Sequence, residues 1–248
     1  MFKELNVTHG RLQDIIELME SLDFDDVESL LDLGCGDGTL SEYFVSKGIK
    51  VSATNAYNQL PERIERNNID YKFALSDNLP FDDATFDAVF FSHVLEHISD
   101  WGTAIKEIRR VLKPHGRVIL IVPPYLNYVQ EEHINIGWNL GQLMYVLLTL
   151  GFQVKNGNFI HYGFNILAVA HKEDYTLPYT DRYKRSLLHL WSESGFFPVK
   201  IFPYTDDNPE SGFWGNYRSL NWPNPEKLRW YDSSCAQLYN PDYLSSER

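Results

Sequence analysis

The chain has 248 residues, 44% of them hydrophobic and 23% charged, enough for one sizeable α/β domain with an appended module and far from the composition of disorder. A formal net charge of −12 argues against a nucleic-acid partner, because phosphate backbones are held by clustered Lys and Arg. The longest apolar run, Val118 to Pro124, falls well short of the ~20 residues of a membrane span, and the N-terminal residues lack a secretory pattern. Cys35 and Cys235 are too few for a disulfide framework, so a reducing cytoplasm is the expected home.

Leu12, Ile15, Ile16, Met19 and Leu22 stand at helical spacing, and Thr8 is placed to cap that first helix. "VESLLDL" reads as a buried strand and "GTLSEYFVSKG" as a helix closed by Gly48. "IKVSATN", "NQLPERIERNN" and "DYKFAL" continue as strand, helix and strand. "FDAVFFSHV" is nearly continuous in apolar residues, as a strand covered on both faces should be. "DWGTAIKEIRRVLKP" is expected to be helical up to Pro114, "GRVILIVPP" to be a strand, and "NLGQLMYVLLTLGF" to be a helix. Two further strands are expected near Phe152–Lys155 and Asn165–His171. Strands alternating with helices predict an α/β fold with helices on both faces of the sheet.

Beyond Lys172 the texture changes. Pro203, Pro209, Pro223 and Pro225 interrupt the region, and aromatics make up about a quarter of positions 202–231 against 15% for the chain. One more helix and strand are expected within "DRYKRSLLHLWSESGFFPVKIF". The aromatic stretch "GFWGNYRSLNWPNPEKLRWY" suits either a grip on flat, hydroxylated ligands or a small apolar cluster pinning an irregular tail to the sheet.

"LLDLGCGDGTL" places Gly34, Gly36 and Gly38 between a strand and a helix, where bare backbone and unsatisfied N–H groups can meet a ligand. A dinucleotide fingerprint would need glycine at position 39, and Thr39 stands there instead. The G-x-G-x-G spacing, with Asp32 two residues ahead, resembles motif I of the class I S-adenosylmethionine-dependent methyltransferases. "LPFDDATFDAVFFSHVLEHISDWGTAIKEIRRVLKPHGRVILIVP" is similar to the later motifs of that family, and "LEH" and "VLKPHG" to its small-molecule O-methyltransferase branch.

The resemblance spans about Leu30 to His171. It implies a Rossmann-like three-layer sandwich with a mostly parallel seven-stranded sheet, preceded by a helical cap (1–27) and followed by an aromatic-rich extension (172–248) packed on the core (28–171). It implies S-adenosylmethionine as cofactor, with S-adenosylhomocysteine as product. Asp32 would orient the glycine turn and the ligand's amino group, while Gly34, Gly36 and Gly38 line its methionine and ribose portion. Two positions depart from the pattern. Asn55 stands where the family has an acid for the ribose hydroxyls, a loss of charge assistance equivalent to about tenfold in affinity. Leu75 replaces the acid near adenine and leaves Ser76 and Asp77 as polar substitutes. Ser92 and His93 would line the cleft floor.

Methyl transfer from a sulfonium is an in-line displacement, so it needs positioning and, for a hydroxyl acceptor, a base. His133 and His97 both follow strand ends where open α/β sheets bind ligands; the resemblance implies His133 as the favoured base, because similar methyltransferases carry a histidine in that loop facing the acceptor, with His97 next. "HVLEH" also matches an inverted zinc-protease pattern, but that motif needs one continuous helix and this one straddles a strand end. In similar quinone O-methyltransferases the equivalent segment is associated with a divalent cation, which leaves a metal at His93, Glu96 and His97 open. The expected activity is methyl transfer to a hydroxyl of a small-molecule acceptor, such as a sugar or polysaccharide precursor. The rival is a methyltransferase-like binding or regulatory module that has lost catalysis, which Asn55 and Leu75 favour.

Overall fold

The computed structural model describes residues 10–124, 133–134, 137–178, 187–198, 219–224 and 228. Alternating side chains of the central strands are apolar on both faces, and this is what builds a layer of helices on each side. Strands β1 (Ser29–Leu33), β4 (Phe86–Ser92) and β5 (Leu112–Val122) send Leu30, Phe90, Ile119 and Ile121 toward helices α1 (Gly10–Ser21) and α2 (Thr39–Ser46). The intervening Leu31, Val89, Phe91, Val118 and Leu120 pack against α4 (Trp101–Val111) and α5 (Leu140–Thr149).

The remaining elements are β2 (Lys50–Asn55), α3 (Glu62–Arg66), β3 (Asp70–Phe73), β6 (Phe152–Tyr162), β7 (Asn165–Lys172), α6 (Leu187–Glu193) and the short β8 (Ser219–Leu220). The sheet order is β3-β2-β1-β4-β5-β7-β6-β8, parallel from β3 through β5 and antiparallel thereafter. The expected seven strands are therefore joined by a two-residue eighth, which the extension contributes to the edge beside β6.

Helix starts follow local chemistry. The backbone N–H of Thr103 donates to the Asp100 carboxylate at 3.1 Å, and Asn139 and Gln142 form a reciprocal capping box on α5. Thr8, expected to cap α1, lies outside the described residues.

Two expectations need correction. Helix α4 ends at Val111, and Pro114 is not its stop. Leu112 is already extended and pairs with Phe86, and the next pair is Ala88 with Arg117, so Lys113–Gly116 bulge out of the ladder. Proline is tolerated in such a bulge because no sheet partner requires its missing N–H. Strand β6 is also much longer than Phe152–Lys155. Its polar "KNGN" stretch coincides with a register shift between Gln153 and Asn158, where a Cβ on Gly157 would lie 2.7 Å from the Val169 carbonyl oxygen.

The described part of the extension turns back onto the sheet. Trp222 and Leu228 are buried in the same apolar layer as α1, and the Trp222 indole N–H donates to the Ser21 hydroxyl at 3.1 Å. This part behaves as an apolar staple; most of the aromatic stretch lies outside the described residues. Among the described residues no helix is long and apolar enough to cross a membrane.

Candidate active site

The glycine loop leaves the carboxyl end of β1 and turns into α2 with positive φ at all three glycines, +82° at Gly34, +55° at Gly36 and +82° at Gly38. The N–H groups of Gly34 and Cys35 both donate to the Thr54 carbonyl at 2.9 Å, which docks the loop on β2. The first and second glycines serve different ends. A Cβ on Gly34 would lie 2.4 Å from Val94 Cγ2, so this position is closed by the segment that follows β4. A Cβ on Gly36 would meet nothing within 4 Å, and Gly36 faces an open cleft of about 600 Å³. Asp37 steadies the turn by accepting from the Thr39 N–H at 3.0 Å and its hydroxyl at 2.9 Å.

Asp32 lies beneath this loop at 2% exposure and accepts from the Ser41 hydroxyl at 2.5 Å. Burial pushes its carboxyl up to about 7; the Ser41 bond opposes the shift and the Asp37 charge adds to it. Burial, reinforced by Asp32, lifts the Cys35 thiol to about 12, so it is no thiolate nucleophile at neutral pH.

Asn55 and Asp37 share the cleft lining with Tyr57, Gln59 and Arg63. The Asn55 amide N–H donates to the Gly36 carbonyl at 3.4 Å, a long bond that ties the end of β2 to the loop. The far wall, α3, is anchored to α2 through Glu42, which accepts from Arg63 at 3.0 Å, Arg66 at 2.5 Å and Asn67 at 3.0 Å. Burial opposes ionisation of Glu42, but these donors outweigh it and hold the carboxyl below its usual range. Ser76 and Asp77 sit in a turn after β3 and do not line this cleft; Leu75 beside them is 55% exposed.

The second half of the site is the turn after β4. Ser92 ends the strand, His93 has φ +53°, and Leu95–His97 form one turn of 3-10 helix. The His93 N–H donates to the Ile121 carbonyl at 2.9 Å, and its ring lies between Glu96 Oε1 (Nδ1, 3.1 Å) and Asn165 Oδ1 (Nε2, 2.8 Å). His93 thus braces the turn and is not among the residues that line the cleft beside Gly36.

His97 and His133 do come together. Their rings meet edge to face with centroids 5.0 Å apart, and the Ile134 N–H donates to the Glu96 carbonyl at 2.8 Å. Strands β1, β4 and β5 are adjacent and parallel, so glycine loop, histidine turn and His133 all open at one end of the sheet, where such sheets bind ligands.

Residues 31–120, which contain the glycine loop and the histidine turn, match the family model described as methyltransferase domain. The chain is 31% identical over 122 residues to the demethylmenaquinone methyltransferase of Paenarthrobacter aurescens, covering 46% of this chain and 48% of that one. It is 30% identical over 102 residues to the O-methyltransferase resE of Aspergillus sclerotiorum, covering 38% and 39%. The chain spans between about a third and three-fifths of the length of such curated relatives. Among solved structures, the 1,6-didemethyltoxoflavin-N1-methyltransferase of Burkholderia thailandensis, bound to 1,6-didemethyltoxoflavin and S-adenosylhomocysteine, superposes with a TM-score of 0.55. It is 19% identical and covers 66% of this chain and 82% of its own, a likeness of fold.

Three residues of this segment and its flank escape a reading of sequence alone. Ser41 is Asp32's hydrogen-bond partner nine positions away, Val94 closes the space at Gly34, and Asn165 reaches His93 from β7. Ser41 falls on the inner face of a readable helix, one turn from the loop. Nothing in local spacing pairs Asn165 with His93.

Proposed function

We propose that the chain transfers a methyl group from S-adenosylmethionine to a hydroxyl of a small-molecule acceptor. The observation that carries this reading is the His97–His133 pair, seated at the strand ends beside a glycine loop whose middle glycine faces an open cleft. Asp32, beneath the loop, would face the cofactor's ammonium end, Gly36 would admit its methionine and ribose while Gly34 and Gly38 shape the turn, and Asn55 would accept from a ribose hydroxyl. When bound, S-adenosylmethionine would supply its sulfonium methyl group to the acceptor oxygen, the carbon–sulfur bond breaking to give the neutral thioether S-adenosylhomocysteine. His133 takes the hydroxyl proton, with His97 beside it. The relative named an O-methyltransferase supports a hydroxyl acceptor. A sugar or polysaccharide precursor in a cytoplasmic setting is the acceptor class we favour. Ser76 and Asp77 join the adenine end only if the turn after β3 closes over it.

His133→Ala should abolish turnover while leaving S-adenosylhomocysteine affinity within about twofold; unchanged turnover removes His133 from the chemistry. A second reading, a binding module without catalysis, is favoured by one feature: neither Asn55 nor Leu75 supplies a carboxylate to the cofactor. Calorimetric titration with S-adenosylmethionine and S-adenosylhomocysteine, with NAD as control, separates the two. Micromolar binding of the first two supports the enzyme, and no binding at millimolar ligand by folded protein supports the module.

A further inference from the structure

Glu96, His97 and His133 each offer one donor atom, and the three atoms lie within 4.8 Å of one another. From this convergence we propose that they hold a divalent transition-metal ion of the zinc class on the acceptor side of the cleft. Two imidazoles and a carboxylate form a donor set suited to zinc, cobalt or iron(II), whereas magnesium and calcium prefer all-oxygen surroundings. At metal–ligand distances of about 2.0–2.2 Å, donors around a tetrahedral ion stand roughly 3.4 Å apart. His97 Nε2 already lies 4.0 Å from Glu96 Oε1, so modest side-chain rotation closes the set.

Glu96 supplies an independent reason. The residue is 1% exposed, and its Oε2 has no hydrogen-bond partner among the described residues. A buried carboxylate oxygen left without a partner is costly, and a cation beside it removes that cost. Its other oxygen accepts from His93 Nδ1, the kind of outer contact that orients a metal-binding carboxylate. His93 itself is excluded from the ligand set, because Glu96 and Asn165 engage both of its ring nitrogens. In the place of His93, which the resemblance to quinone O-methyltransferases leaves open beside Glu96 and His97, His133 supplies the third ligand. His97 reaches solvent and gives the ion a way in.

Three protein ligands leave a coordination position open. The role of that position rests on the methyltransferase reading. An acceptor hydroxyl bound there loses its proton to water nearer neutral pH, and its oxygen then attacks the methyl carbon of the sulfonium. In the loaded chain both histidines serve as ligands, and the ion takes over from His133 as the agent that ionises the acceptor.

The test uses the full chain, stripped with chelator and titrated with zinc alone, in the absence of cofactor and acceptor. One zinc per chain at micromolar affinity or tighter is expected, and cobalt in its place should give the visible absorption of a tetrahedral nitrogen–oxygen site. His97→Ala, a surface change, and His133→Ala should each weaken zinc binding by more than tenfold, while His115→Ala and His171→Ala leave it unchanged. Lack of stoichiometric zinc binding by folded protein, or equal binding by the His97 and His133 variants, overturns the site. Because no methyl transfer is involved, failure of the enzymatic reading leaves this result standing, and failure of the zinc site leaves His133 as the proton acceptor.

Discussion

The backbone N–H of Ile134 donates to the carbonyl oxygen of Glu96 at 2.8 Å, and this bond sets His133 beside His97. The Ile134 side chain is exposed, so the link depends on backbone rather than on packing. Ile134→Pro removes the donor without opening a cavity. Turnover should fall about tenfold to a hundredfold, as expected when a reacting group is displaced by roughly an ångström. S-adenosylhomocysteine affinity, measured by calorimetry, should stay within about twofold.

Gly34 and Gly36 should fail in different ways when changed to alanine. Gly34→Ala meets both a left-handed backbone and Val94, and should destabilise the fold by about 2–4 kcal/mol. Gly36→Ala has open space and should cost about 1–2 kcal/mol from its backbone alone. Its methyl group projects where the ligand is proposed to lie, so cofactor affinity should drop far more than stability. Paired thermal melts and titrations check the contrast.

Asp32 gives a pH dependence with a definite sign. The folded chain holds this proton up to about pH 7, whereas the unfolded chain releases it near 3.8. The folded state therefore binds more protons across that window, and stability falls as pH rises from about 4 to 7. Asp32→Asn keeps an acceptor for Ser41 and carries no charge. Its Tm should exceed that of the parent by roughly 5 °C or more at pH 8, with little difference at pH 4. The same substitution should weaken S-adenosylmethionine binding, since a carboxamide cannot pair with an ammonium group.

Asn55→Asp restores the carboxylate that the sequence lacks at the end of β2. Cofactor affinity should improve by up to about tenfold, less the loss of the long bond to the Gly36 carbonyl. If neither the parent nor this variant binds S-adenosylmethionine at millimolar concentration, the cleft serves some other ligand.

Much of the fold was legible because the strands are buried on both faces. Leu30, Phe90 and Ile119 on one side and Leu31, Val89 and Val118 on the other read as continuous apolar runs, and helical spacing between them did the rest. The second half of β6 was hidden by polar residues at a register shift, and β8 is too short to carry a periodic signal. At the site, local spacing placed Asp32 and the three glycines. His97 and His133 were named singly; that they touch depends on a backbone bond spanning 38 positions, which no local pattern encodes. The position of His93 after a strand end suits a cleft-lining residue, and its bracing role depends on Asn165, which the antiparallel β7 brings in.

Val94 fills the space that a side chain at position 34 would need, and it sits two residues before Glu96 on the same short turn. The glycine loop and the short turn that carries Glu96 and His97 therefore meet at one side chain. If an occupant at one place moves Val94, equilibria at the two are linked. By whatever factor an occupant of the glycine loop changes the affinity of the histidine cluster for an ion, the ion must change the affinity of the loop for its occupant by the same factor. Two titrations of zinc, with and without S-adenosylhomocysteine, would measure that exchange from one side and fix it for the other.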